Sequence, residues 1–90
     1  MGWAETDLTW ELAEIADPYI PDHDRNQLFA TIGSGDSYAG IDKLLEVLVH
    51  AGVLVSPSLV DKLVDWLDAY AHRDDAPRLR EMITAIRLLE

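Results

Sequence analysis

Three groupings in this chain put reactive residue types at spacings where chemistry is conceivable. Asp22-His23-Asp24 offers three metal-ligand types in a row. Successive helical side chains diverge by about 100°, however, so the three do not converge on one ion, and acids opening a helix serve its dipole and cap instead. Asp61, Asp65, Asp68 and His72 recur at intervals of four, three and four, which keeps them on one helical face. Such a row can hold a divalent cation, but charge at that periodicity is usually the solvated back of a helix, and we read it so. Gly33 to Gly40 holds three of the five glycines ahead of a helix, as a phosphate-binding loop does. It lacks Gly-Lys-Ser/Thr and a preceding strand, and Asp36 repels an anion. The segment reads as a flexible connector, with Asp36 or Ser37 as the N-cap of the next helix.

Nucleophilic catalysis finds no purchase either. The chain has no cysteine, which removes disulfides, thiolate zinc sites and a cysteine nucleophile. No serine sits in a Gly-x-Ser-x-Gly elbow, and the three histidines fall on separate helices or ends. We assign no catalytic residue, no metal and no cofactor, and expect a protein that is not an enzyme.

The element that must organise the chain is Ile41–Val55, IDKLLEVLVHAGVLV. On a helix, Ile41, Leu44, Leu45, Val47, Leu48, Val49 and Ala51 cover an arc of about 200°, twice the stripe of an ordinary surface helix. A helix so apolar needs neighbours on two sides. Gly52 ends it by taking the left-handed conformation, with Val53 folding back, and Val53, Leu54 and Val55 then cross the core as an extended connector. The expected fold is all-α, a compact bundle of five short helices in a single domain, 1–90, around a central helix at about 37–51.

The other helices are set by their stops and stripes. Thr6 or Asp7 caps a first helix ending near Asp17, where Pro18 forbids continuation; Leu8, Leu12, Ile15 and Ala16 face inward. Pro18-Tyr19-Ile20-Pro21 is a stiff corner with Tyr19 and Ile20 as core plugs. Asp22 caps a second helix to about Ile32, with Leu28, Phe29 and Ile32 inward. Ser56 or Ser58 caps a fourth, running to about Tyr70, whose inward face is Leu59, Val60, Leu63, Val64, Trp66, Leu67, Tyr70 and Ala71. Asp74 or Asp75 caps the last, with Leu79, Met82, Ile83, Ile86 and Leu89 inward. Arg80 and Arg87 sit together beside that stripe, and Arg78 lies on its other flank.

Charge limits what such a bundle binds. Seventeen acids face seven bases, for a formal charge of -10, and residues 1–55 hold ten of the acids but two of the bases. A nucleic-acid binder needs the opposite field, and anionic membranes are disfavoured for the same reason. The hub, its connector and the Ser56–Tyr70 helix resemble a helix-turn-helix in outline, yet Asp61, Asp65 and Asp68 would then meet phosphate with Lys62 alone to offset them. Without a basic, apolar leader or a run of roughly 20 apolar residues, a cytoplasmic location is expected.

What remains is a protein acting through protein–protein interaction, a bacterial or phage-encoded regulator or inhibitor with a basic partner. The alternative is a self-associating structural protein. Trp3 and Trp10, turned away from the main stripe, either pack within the chain or anchor a partner. With Glu14, Asp61, Asp65 and Asp68 they form the candidate contact set. The hub assignment itself is testable: Leu45→Asp combined with Leu48→Asp leaves buried charges unpaired at several kcal/mol, much of the roughly 5–15 kcal/mol that holds a domain together. Circular dichroism of that variant is expected to show no cooperative melt near the parent's.

Overall fold

Caps and stops place the helices, and the computed structural model describes residues 5–88, with side chains to Arg87. α1 spans Glu5–Ala16 and runs into a short 3-10 turn, Asp17–Tyr19. α2 is Asp22–Gly33, α3 Ser37–Ala51, α4 Pro57–Asp68 and α5 Ala76–Leu88. Among the described residues every regular element is helical, and no helix is long and apolar enough to cross a membrane. The all-α five-helix bundle read from the periodicity is the fold.

Two of the caps are those the sequence specifies. The Asp36 carboxylate accepts from the Ala39 amide at 3.2 Å, and the Ser56 hydroxyl accepts from the Leu59 amide at 3.4 Å. Gly52 closes α3 at φ 66°, and the Val53 amide donates to the Leu48 carbonyl at 3.2 Å, closing the terminus as a glycine stop should. At the start of α2, Asp22 is the first helical residue and Pro21 takes the capping position without a side-chain bond. Asp22 and Asp24 there act on the helix dipole alone. Glu5 opens α1 ahead of Thr6 and Asp7, and α4 ends at Asp68, two residues short of Tyr70.

α3 lies against α1, α2 and α5. Ile41, Leu44, Leu45 and Leu48 are all fully buried, with Val47 and Val49 half-buried at the edges of the arc. Ala51, assigned to the inward arc, is exposed because the helix leaves the core in its last turn. α4 packs on α5 rather than alongside α3, and reaches α3 through the Tyr38–Trp66 ring contact. The connector after Gly52 runs along the rim: Val55 is buried, but Leu54 is 67% exposed. Of the two residues expected as core plugs, Ile20 is buried and Tyr19 is 50% exposed, because the 3-10 turn directs only Ile20 inward. Arg25 fixes that corner by pairing with the Asp17 carboxylate and donating to the Asp17 carbonyl at 2.9 Å. Leu89 lies outside the described residues.

Gly40 belongs to the packing, not to a flexible connector. It is buried in the first turns of α3, and a Cβ there would stand 2.9 Å from Ile32 Cγ1 and 3.3 Å from Thr9 Cγ2. The hydrogen on its Cα lets α1, α2 and α3 approach one another closely. Gly33, at the end of α2, has nothing within 4 Å of such a Cβ. We therefore expect opposite outcomes from the same substitution. Gly33→Ala is neutral to stabilising by up to about 1 kcal/mol, from helix propensity and lost chain entropy. Gly40→Ala destabilises, since overpacking of about 1–3 kcal/mol outweighs a propensity gain of about 1 kcal/mol; urea denaturation of the two variants measures both.

Candidate functional site

The structure brings most of the sequence-selected contact residues onto one side. Side chains bridge α1 to α4, where Lys62 Nζ meets Glu11 Oε1 at 3.2 Å and where Glu5 reaches Trp66, and to Tyr70 just beyond α4. Residue numbers rise along α1 as they fall along α4, so the two helices are antiparallel. On α1, Asp7 and Glu14 are exposed on the side away from Leu8 and Leu12. On α4, Asp61, Asp65 and Asp68 are exposed opposite Leu59, Leu63 and Trp66. The Lys62–Glu11 pair stands between these rows. Trp10 borders the surface on its α2 side: it stacks on Phe29 with centroids 5.9 Å apart and planes 10° from parallel, yet stays 44% exposed. The tryptophan is both packed and presented. Trp3 lies outside the described residues.

The metal-like groupings stay apart. His23 and His72 are exposed, and His23 touches Asp24 at 3.5 Å without a third ligand. Among the described residues no three His, Cys, Asp or Glu side chains gather as a metal site would need.

A second grouping is invisible in the sequence. Trp66 is buried beneath Tyr38 and Tyr70, with ring centroids 4.8 to 5.4 Å apart. The Trp66 indole N–H and the Tyr70 hydroxyl both donate to Glu5 Oε2 at 2.6 Å. The Tyr38 hydroxyl donates to Asp75 Oδ1, also at 2.6 Å, and the Arg73 guanidinium lies 4.2 Å over the Tyr38 ring. Burial, then the bond to Asp75, pushes the Tyr38 phenol up to about 12. The bond to Glu5, then burial, raises that of Tyr70, and the Tyr38 hydroxyl in turn lowers the Asp75 carboxyl. Both phenols therefore keep their protons at neutral pH and act as donors to carboxylates. Asp75, one of the two residues expected to cap α5, has its side chain bonded by Tyr38, while its carbonyl accepts from the Leu79 amide at 3.2 Å. The cluster ties the start of α1 and the turn before α5 to α3 and α4. Its three aromatic donors, the Trp66 indole N–H and the two phenols, are each engaged by a carboxylate of the same chain.

A third feature concerns the bases. Arg25, Lys43, Lys62, Arg73 and Arg78 each make an ion pair, Arg78 bridging Asp42 and Glu46 of α3. Arg80 and Arg87 make none among the described residues. They line a groove of about 170 Å³ between α4 and α5 with Val64, Leu67, Ile83 and Thr84.

Comparison of the chain with protein-family models, with curated proteins and with solved structures finds no match.

The phenol pairs make stability pH-dependent at the alkaline end. A phenol held above its ordinary value stays protonated in the folded chain while the unfolded chain releases its proton, so its contribution is complete below pH 10 and is lost as pH rises through about 12. Tyr38→Phe is expected to lower stability near neutrality by about 1 kcal/mol, one hydrogen bond's worth. It should also flatten the fall in melting temperature across that alkaline range. Thermal melts at a series of pH values, alongside ultraviolet titration of the phenolates, test this.

Proposed function

We propose that this protein is a non-enzymatic interaction module whose acidic α1–α4 face receives a basic protein surface. One observation carries the reading: Asp7 and Glu14 on α1, and Asp61, Asp65 and Asp68 on α4, are all exposed on two helices bridged by the Lys62–Glu11 pair. Exposed like charges held by rigid helices create a field that draws in the opposite sign and resists the same sign. Trp10 supplies what the charges lack. An aromatic ring already braced against Phe29 loses little freedom when a partner covers it, and tryptophans so placed anchor interfaces. The role of a regulator or inhibitor of a basic protein fits this chemistry, in a bacterium or a phage. A nucleic acid fits it poorly, because the outward side of α4 is its aspartate row and its inward side is occupied by α5.

Charge-led recognition has a definite signature. Exposed ion pairs are screened within about 8 Å at physiological ionic strength. An immobilised wild-type protein is expected to retain a basic protein from a bacterial lysate at low salt and to release it as salt rises. A variant with Asp61→Asn, Asp65→Asn and Asp68→Asn should lose that retention while keeping its helical circular dichroism. Retention that ignores both the salt and the triple substitution would show that these carboxylates are solubilising surface and nothing more.

A further inference from the structure

The groove between α4 and α5 carries a charge pattern that matches its own neighbour. On α5, Arg80, Thr84 and Arg87 stand at i, i+4 and i+7 along one row. On α4, Asp61, Asp65 and Asp68 stand at the same intervals on the exposed side. Seven residues of helix rise about 10 Å, so the outer charges of the two rows are equally spaced. Arg80 and Arg87 are exposed, and among the described residues neither meets an acid in its own chain. In a chain with ten more acids than bases, these two cations stand out for having no acid beside them among the described residues.

We propose that the occupant of this groove is a second copy of the same chain, forming a two-fold dimer across the α4–α5 pair. The inference rests on the reading of the α4 aspartates as a docking face and names what meets them. α4 and α5 pack as neighbours joined by a short turn, and Val64 and Leu67 share the groove with Arg80, Ile83, Thr84 and Arg87. Those shared positions set the level: Asp68 stands near the height of Arg80, Asp65 near Thr84 and Asp61 near Arg87. A two-fold axis parallel to the helices lays α4 of one copy over α5 of the other at unchanged height. Each aspartate row then faces an arginine row, twice over, because a two-fold contact uses the same patch on both copies. Within one chain the arginine row lines the groove and the aspartate row lies on the exposed side of α4 without pairing to it; between copies they close on each other. The half-buried Val64 supplies apolar surface near the axis. Glu81, the one acid of α5, lies about 100° further round the helix from Arg80 and borders the side of the row that faces away from the α4 groove, without pairing to Arg80.

Charge swapping tests the pairing. Sedimentation velocity of the wild type is expected to show a dimer that weakens as salt rises. Arg80→Glu with Arg87→Glu, and separately Asp61→Arg with Asp68→Arg, should each be monomeric, because like charges then face each other in both halves of the contact. Mixing these two variants should restore a dimer, since one half is then wild type and the other is complementary with the signs exchanged. Circular dichroism confirms that each is folded. Should a reversed variant fail to fold, the neutral pairs Arg80→Gln with Arg87→Gln and Asp61→Asn with Asp68→Asn replace them, each weakening the dimer about tenfold or more. A wild type that stays monomeric at every concentration overturns the pairing, as do reversed variants that remain dimeric or a mixture that remains monomeric. A monomeric wild type that still captures a basic protein through Asp61, Asp65 and Asp68 overturns the dimer and leaves the docking face standing. One that neither dimerises nor captures a basic protein ends both.

Discussion

Burial of one side of α3 is the constraint on which the molecule depends. Ile41, Leu44, Leu45 and Leu48 are each stripped of water, and a single flanking helix cannot cover so wide an arc. α1, α2 and α5 must therefore close on α3 from different directions. The close approach at Gly40 arises from the same demand, since a side chain between Ile32 and Thr9 would hold α2 and α1 away from the apolar surface they cover. Loss of that seal exposes most of the core at once.

α4 is held by a different physics. It packs on α5, and is linked to α3 by the Trp66 indole seated between Tyr38 and Tyr70, and to α1 by Glu5 as shared acceptor and by the Lys62–Glu11 pair. Buried donors are expensive unless they find partners, so an aromatic group with an N–H or O–H can stand in a core only where an acceptor waits. Glu5 and Asp75 are those acceptors. Two of the seventeen acids are thus structural, and an account of this protein's charge as surface alone would misplace them.

Of the other acids, Asp7, Glu14, Asp61, Asp65 and Asp68 are exposed, whereas Asp42 is mostly enclosed beside Arg78. Most bases are tied to acids of the same chain, which fixes corners and helix flanks: Arg25 at the Asp17 corner, Arg78 across to α3, Lys62 across to α1. Each such exposed pair adds little stability, but each neutralises a cation that would otherwise offset the acidic field. What is left outward is a negative α1–α4 side bordered by Trp10, and an arginine row on α5.

Hydrophobic periodicity and capping were enough to read the five helices, the centrality of α3, the Asp36 and Ser56 caps and the Gly52 stop. These are local properties: apolar spacing repeats with the helix turn, and a cap bonds within three residues of itself. Solvent-facing positions of Glu14, Asp61, Asp65 and Asp68 came from the same wheel. Tertiary structure alone decided that Glu5 lies beneath Trp66 and Tyr70, sixty-odd residues away, and that Tyr38 meets Asp75. It also decided that Gly40 is a contact point, that Tyr19 turns out of the corner it shares with Ile20, and that α4 leans on α5. None of these has a periodic signature, because each depends on which helix faces which and at what distance. The period of a sequence states which side of a helix turns inward; the partner waiting there is fixed only when the chain closes on itself.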